Sequence, residues 1–486
     1  MNSLESKVVT ATKWSALTEI ASKLVSPVAG MILARLLTPE AYGAVATTTI
    51  IISFAEMLTD AGFQRYLIQH DFANDKEKHE CADTAFWLNF SLSIIAWLLI
   101  IVFRHHLAKF VGSPELGNAI AIACSIIPIT AFSSIQASFF KRDLNFKPLF
   151  NARMIVVAIP FCITIPLALW MRNYWALIAG SIAHKIAYAI ILSANSKWNP
   201  SFRFCFDKIK EMLSFWGWTT TGRIITYITN YIDLFLISNI FSQHLLGIYR
   251  TAIQTSTHIL ALISAIVIPV LLPTYSKVQN NHEKLRAMIL KIQKHMGFFL
   301  MPVGLCIYLY SDIITSILLG DQWSEAAPII GIWGLVHSFT LLLSRNYTSM
   351  FIAIGKPQIP VLIQALYGVA LIPAIIISAD ISFDSVYTTR AYMRILHFAL
   401  NMLLTYITIK LSVFKTIINL LPEIIGCLAM LIMTVLLTRI VMTTFLQLIS
   451  AALCTFVYFS TVFLFKKERL ILHRSIKYIM AHFAGR

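Results

Sequence analysis

Five cations stand inside stretches that are otherwise almost purely apolar: Lys23, Lys185, Arg223, Arg345 and Arg394. Placing one such charge at the centre of a bilayer costs roughly 2.5–3.5 kcal/mol on insertion scales. Side chains of this kind therefore face protein, water or a ligand rather than lipid. The acids in the same stretches are Glu19, Glu56, Asp60 and Asp233. Cations outnumber them, and a cationic excess suits an anionic ligand able to accept charge-assisted hydrogen bonds. Arg223 and Arg345 have no acid four residues away, whereas Glu19 and Lys23 stand in the order that forms an intrahelical pair. Arg394 is placed to reach an interface with its long stem. Glu19, Asp60 and Asp233 are the candidates for carrying a coupling ion. His258 and His397 read as packing histidines.

No residue reads as catalytic. The chain has no GxxxxGK[ST], HExxH or GxSxG run, and Gly355-Lys356-Pro357 lacks the leading glycine and the hydroxyl of a phosphate loop. The seven cysteines are scattered singly, with no Cys/His cluster at zinc spacing, which points to neither a disulfide framework nor a metal site. No cofactor is expected.

The elements that must hold these charges are membrane helices. Of 486 residues 58% are hydrophobic and 13% charged, with a mean hydropathy of +0.74. A soluble domain is roughly 45–50% apolar and about a quarter charged. Fourteen apolar stretches, the first near 14–34 and the last near 443–465, are each close to the roughly 20 residues that cross a bilayer as a helix. Barrel strands would be about half as long and would alternate in polarity. This composition excludes a soluble enzyme, a disordered chain and a receptor with one anchor. Met1 to Lys13 is polar and no small-residue cleavage site closes the first apolar stretch, so no cleaved signal peptide is expected.

The net charge of +16 has a topological reading. Of the 39 Lys and Arg, 27 fall in the two tails and alternate connections, seven on the opposite side and five inside the stretches. The positive-inside rule then places both termini in the cytoplasm and makes the number of spans even. The basic C-terminal tail reads as an anionic-lipid contact, and nucleic acid is not an expected partner.

The chain also repeats itself. Residues 36–43 read LLTPEAYG and residues 240–247 read IFSQHLLG, an offset of 204 that sets Gly43 on Gly247 and Trp14 on Trp218. Polar residues follow the same offset. Glu19, Ser22, Lys23 and Ser26 share one helical face, and Arg223, Thr226, Tyr227 and Asn230 share the equivalent one. Thr49, Ser53, Glu56 and Asp60 form a third stripe, and Thr251, Gln254, Thr255 and His258 a fourth. Striped helices in repeated positions predict a water-filled cavity at a repeat interface, where transporters bind their cargo. The expected organisation is an all-α integral membrane protein of about fourteen transmembrane helices. Residues 1–208 form one six-helix lobe, 209–412 a pseudo-symmetric second, and 413–486 a C-terminal helix pair with a basic tail.

Four segments carry a family resemblance: ARLLTPEAYG (34–43), TDAGFQRYLIQHD (59–71), FFKRDLNFK (139–147) and IAIGKPQI (352–359). Together they resemble the Wzx-type flippases of lipid-linked oligosaccharides, in the multidrug/oligosaccharidyl-lipid/polysaccharide exporter superfamily, and the likeness covers nearly the whole chain. It implies two six-helix lobes around a central cavity in the bacterial inner membrane. It further implies transport of an undecaprenyl-diphosphate-linked glycan for surface polysaccharide, with polysaccharide polymerase or assembly proteins as partners besides membrane lipids. On that reading Arg223, Arg345, Lys23, Lys185 and Arg394 would meet the diphosphate. Two alternatives stay open. A drug or metabolite antiporter of the same superfamily would carry excess cavity acids, and an integral polymerase would carry a large catalytic outer loop.

Overall fold

The computed structural model describes residues 3–60, 62–196, 198–202, 206–438 and 444–465. Every regular element among them is helical. In chain order the long helices begin with α1 (Ser3–Leu36), α2 (Pro39–Asp60), the short α3 (Phe63–Gln69) and α4 (Asp75–Val102). Next come α5 (Pro114–Arg142), α6 (Lys147–Met171), α7 (Tyr174–Asn195) and α8 (Phe206–Ile240). Then follow α9 (Gln243–Ser276), α10 (His282–Leu309), α11 (Asp321–Ala353), α12 (Gln358–Ala379) and α13 (Phe383–Ile409). The last three are α14 (Val413–Asn419), α15 (Leu421–Thr438) and α16 (Thr444–Phe463).

Ten described helices are long and apolar enough to cross a membrane, or up to twelve if each of two bent pairs is one span. One of these pairs is α14 with α15, bent by 56°. The striped helices α1 and α8, at 34 and 35 residues, are also longer than the roughly 20 residues a span requires. By contact the chain divides into two compact units. One holds Met1–Thr251 with Gln364–Thr389, and the other holds Ala252–Ile363 with Arg390–Arg486.

Local chemistry sets the helix ends. Pro39 takes the first position of α2, where its missing N–H is not needed. Asn74 caps α4 by accepting from the Glu77 N–H at 2.8 Å, while the Glu77 carboxylate accepts from the Ala73 N–H at 2.7 Å. That reciprocal pair satisfies one donor the first turn would leave open and the amide just before the cap. Asn173 and Asn281 cap α7 and α10 in the same manner.

In the first unit the repeat is visible as contact between its own mates. Helices α1 and α8 end at Leu36 and Ile240, and α2 and α9 begin at Pro39 and Gln243, both pairs at the repeat offset. Glu40 and His244, which differ by 204, face each other with Oε1 2.7 Å from Nδ1. A methyl group added at Gly43 would collide with the Gln243 carbonyl, and one added at Gly247 with the Pro39 carbonyl. The Gly43 amide nitrogen would lie 2.9 Å from that second methyl. The Ser113 hydroxyl joins the junction by bonding the Gln243 side chain, and Thr47 lies 3.4 Å from the same hydroxyl. Gly112, with φ of +75°, turns the chain just before Ser113 and lies directly against the Ser238 carbonyl at the end of α8.

The segments 59–71 and 139–147 also come together. Arg142 donates to the carbonyls of Leu67 and His70, both at 2.7 Å, and lies 4.6 Å from the centroid of the Phe72 ring. One guanidinium thus closes the last carbonyls of α3 and fixes the connection from α2 to α4. Nearby, Asp83 accepts from the Trp198 indole at 3.0 Å, from the Ser201 N–H at 3.2 Å and from the Ser201 hydroxyl.

The glycine junction makes a testable demand. Gly43→Ala or Gly247→Ala should each destabilise the protein by about 1–3 kcal/mol through overpacking. Gly30→Ala, with nothing within 4 Å of the added carbon, should melt no lower than the wild type. Thermal unfolding of the three variants in detergent checks this. Wild-type melting of both Gly43→Ala and Gly247→Ala would refute the close approach.

Candidate functional site

In the first unit the stripes of α2 and α8 do two different things. Part of each stripe joins the helices. The Ser53 and Tyr231 hydroxyls are 2.7 Å apart, and the Tyr227 hydroxyl donates to the Ile50 carbonyl at 2.8 Å. The Tyr227 and Tyr231 rings stack with centroids 4.8 Å apart. Further along the stripe Thr226 and Asn230 are exposed, and Arg223, one turn before Tyr227, is half-buried.

One turn along from Ser53, Glu56 meets two other helices. Its Oε1 lies 3.5 Å from the Lys185 ammonium of α7 and accepts from the Thr130 hydroxyl of α5 at 3.4 Å. The Lys185 and Glu56 side chains are 36% and 32% exposed, so this is an accessible ion pair rather than a buried lock. Lys23, on α1, is half-buried.

Asp233 is 3% exposed. It accepts from the Tyr249 hydroxyl at 2.6 Å and from the Leu234 N–H at 3.0 Å, fastening α8 to the first turns of α9. The Glu19 and Asp60 side chains lie outside the described residues.

In the second unit Arg345 and Arg394 stand on α11 and α13, which the Ser344–His397 hydrogen bond joins close to both. Thr340–Arg345 is a π-helical turn within α11, a geometry that recurs at functional sites because it redirects side chains out of the regular register. Arg345 ends that turn and is exposed. The Arg394 guanidinium lies 5.9 Å from the Trp333 ring centroid, within cation–π range. Helix α13 also carries His397, three residues beyond Arg394. His397 is in turn held by the Ser344 hydroxyl, 3.1 Å from its Nδ1.

Helix α13 supplies this cluster from one face. Arg390, Arg394, His397, Asn401 and Thr405 recur at spacings of three and four, and the face they form is buried or half-buried along its length. Arg390 is only 2% exposed within the helix. Among the described residues no group of three His, Cys, Asp or Glu could hold a metal ion.

The structure therefore pairs Lys185 with an acid, sets Arg345 and Arg394 on two helices joined by Ser344 and His397, and uses Asp233 as an anchor. Arg223 and Lys23 sit on striped helices of the first unit. Sequence reasoning missed Arg390, Trp333 and Ser344 as neighbours of the charges. The periodic polar face of α13 was readable in the sequence, but the approach of Trp333 and Ser344 from another helix was not. If Asp233 is an anchor, Tyr249→Phe should destabilise the fold by about 1–3 kcal/mol, the cost of leaving a buried acceptor unsatisfied. An unchanged melting temperature would overturn that role.

Comparison with known proteins places this geometry. A family profile described as "polysaccharide biosynthesis protein" matches residues 32–328. The teichuronic acid biosynthesis protein TuaB of Bacillus subtilis is 22% identical over 418 residues, covering 85% of each chain. The lipopolysaccharide biosynthesis protein WzxC of Escherichia coli is 21% identical over 389 residues, covering 78% of this chain and 77% of that one. Among solved structures, the lipid II flippase MurJ in an inward closed conformation has a TM-score of 0.72 at 15% identity, covering 94% of this chain and 99% of that one. An inward-facing multidrug resistance MATE transporter gives 0.57 at 14% identity, covering 81% and 98%. At these identities the structural likeness is one of fold. The two structural neighbours are named as a lipid II flippase and a multidrug resistance transporter, and what they share with this chain is the membrane-helix fold. Because the matched profile spans more than half of its length, the chain belongs to the polysaccharide biosynthesis protein family.

Proposed function

We propose that this protein is a flippase that carries an anionic lipid-linked oligosaccharide repeat unit across the bacterial inner membrane for surface polysaccharide synthesis. The undecaprenyl diphosphate handle is the part its cations would hold. The observation that carries this reading is that Arg345 and Arg394 stand on two helices of membrane-spanning length that the Ser344–His397 hydrogen bond joins close to both, with Arg394 against the Trp333 ring. A diphosphate brings at least two negative charges and several acceptor oxygens, and planar guanidiniums match such oxygens bidentately.

On this reading Arg223, Lys23 and Lys185 offer further cations to the same ligand during an alternating-access cycle. The two lobes are residues 1–208 and 209–412, followed by the helix pair of 413–486, with both termini in the cytoplasm. Family membership and the fold of the lipid II flippase support transport of a lipid-linked glycan. The excess of cations over acids at membrane depth favours an anionic cargo over the cationic compounds of a drug antiporter.

Depletion of the protein should cause the lipid-linked glycan to accumulate on the cytoplasmic leaflet, as read by leaflet-selective labelling. Normal outward display in cells with no second flippase would refute the proposal. Arg223→Ala and Arg345→Ala should each lower transport at least about tenfold, the equivalent of one charge-assisted contact, with membrane insertion intact. Wild-type transport in both variants would remove these residues from the binding role.

A further inference from the structure

We propose that Glu56 is an internal counter-ion that competes with the ligand for Lys185. This rests on the reading of an anionic, diphosphate-bearing ligand given above. Glu56 reaches Lys185 from a different helix at 3.5 Å and is steadied by the Thr130 hydroxyl on the same oxygen. About a third of each charged side chain is open, so an incoming anion can reach the lysine without unpacking the fold.

The physical need for such a partner is plain. A lone ammonium at membrane depth costs energy whenever no ligand is present, and a carboxylate on a neighbouring helix offsets that cost. A lysine with no competitor would also hold a diphosphate strongly and release it slowly. A diphosphate, with more charge and more acceptor oxygens than a carboxylate, takes Lys185 from Glu56 on entry. The freed carboxylate keeps its hydrogen bond from Thr130. When the ligand moves on, Glu56 reclaims the lysine and favours departure. Lys185 thus has an anionic partner in both the empty and the loaded state, and no covalent bond changes.

The competition predicts an outcome that a merely structural ion pair does not. Glu56→Gln preserves the shape and the acceptor for Thr130 but removes the negative charge. In the purified full-length protein, undecaprenyl diphosphate should bind about three- to tenfold tighter to Glu56→Gln than to wild type. Turnover in proteoliposomes should fall because release slows. Lys185→Gln should bind more weakly than wild type. Adding Glu56→Gln to Lys185→Gln should change binding no further, because the residue competed for is gone.

Weaker or unchanged binding by Glu56→Gln, in protein that elutes as a single folded species, overturns the proposal. A Glu56→Gln variant that does not fold overturns it as well, since the pair would then be structural. Glu56→Asp, which keeps the charge, should retain wild-type affinity, and tighter binding there would also count against a charge competition. Failure of wild-type protein to bind undecaprenyl diphosphate at all would instead refute the ligand reading on which this one rests.

Discussion

Helices α2 and α9 approach so closely at Gly43 and Gly247 that neither position has room for a side chain. This contact sets the geometry of the first unit. Backbones packed at that distance fix where Glu40 meets His244, how Gln243 reaches Ser113, and at what height α8 runs beside α2. The hydroxyl contacts further along, from Tyr231 to Ser53 and from Tyr227 to Ile50, are possible only because the helix starts are already locked in register. A repeated sequence places a glycine in both partners, so each repeat supplies the surface against which the other packs.

Charge at membrane depth is the second constraint, and the chain meets it by different means at each position. Lys185 has a carboxylate on another helix, Arg394 has an aromatic face, and Asp233 has a tyrosine hydroxyl and a backbone amide. These solutions differ in what they leave available. Asp233 is buried and fully committed to holding α8 and α9. Lys185 and Glu56 are accessible and joined by a longer contact, the arrangement expected of groups that change partners. Arg345 is exposed at the end of a π-helical turn, where the local widening of the helix turns its side chain out of the regular stripe.

The family-like segments do their work outside this charged set. Arg142, from the FFKRDLNFK segment, closes the carbonyls of α3, from the segment that precedes it by some seventy residues. Nothing in either segment taken alone identifies the pairing, since a basic residue after a membrane helix reads as a topology signal. Its chemistry is that of a helix C-terminus, where a cation satisfies carbonyls the last turn leaves open.

The sequence by itself determined the class of the protein and much of its layout. Apolar runs of membrane-spanning length dictate helices, because a backbone in hydrocarbon must satisfy its hydrogen bonds internally. The offset of 204 anticipates where α1 and α8 end and where α2 and α9 begin, since the turn residues are repeated with the helices. Five intramembrane cations stand out because each is costly against an apolar background. Partner choice was decided only by the tertiary structure. Whether Lys185 meets Glu56, whether Arg394 meets Trp333, and whether Asp233 is an anchor depend on helix rotation and height. Those are set by packing between segments tens to hundreds of residues apart, and periodicity along a single helix carries no information about what stands opposite it.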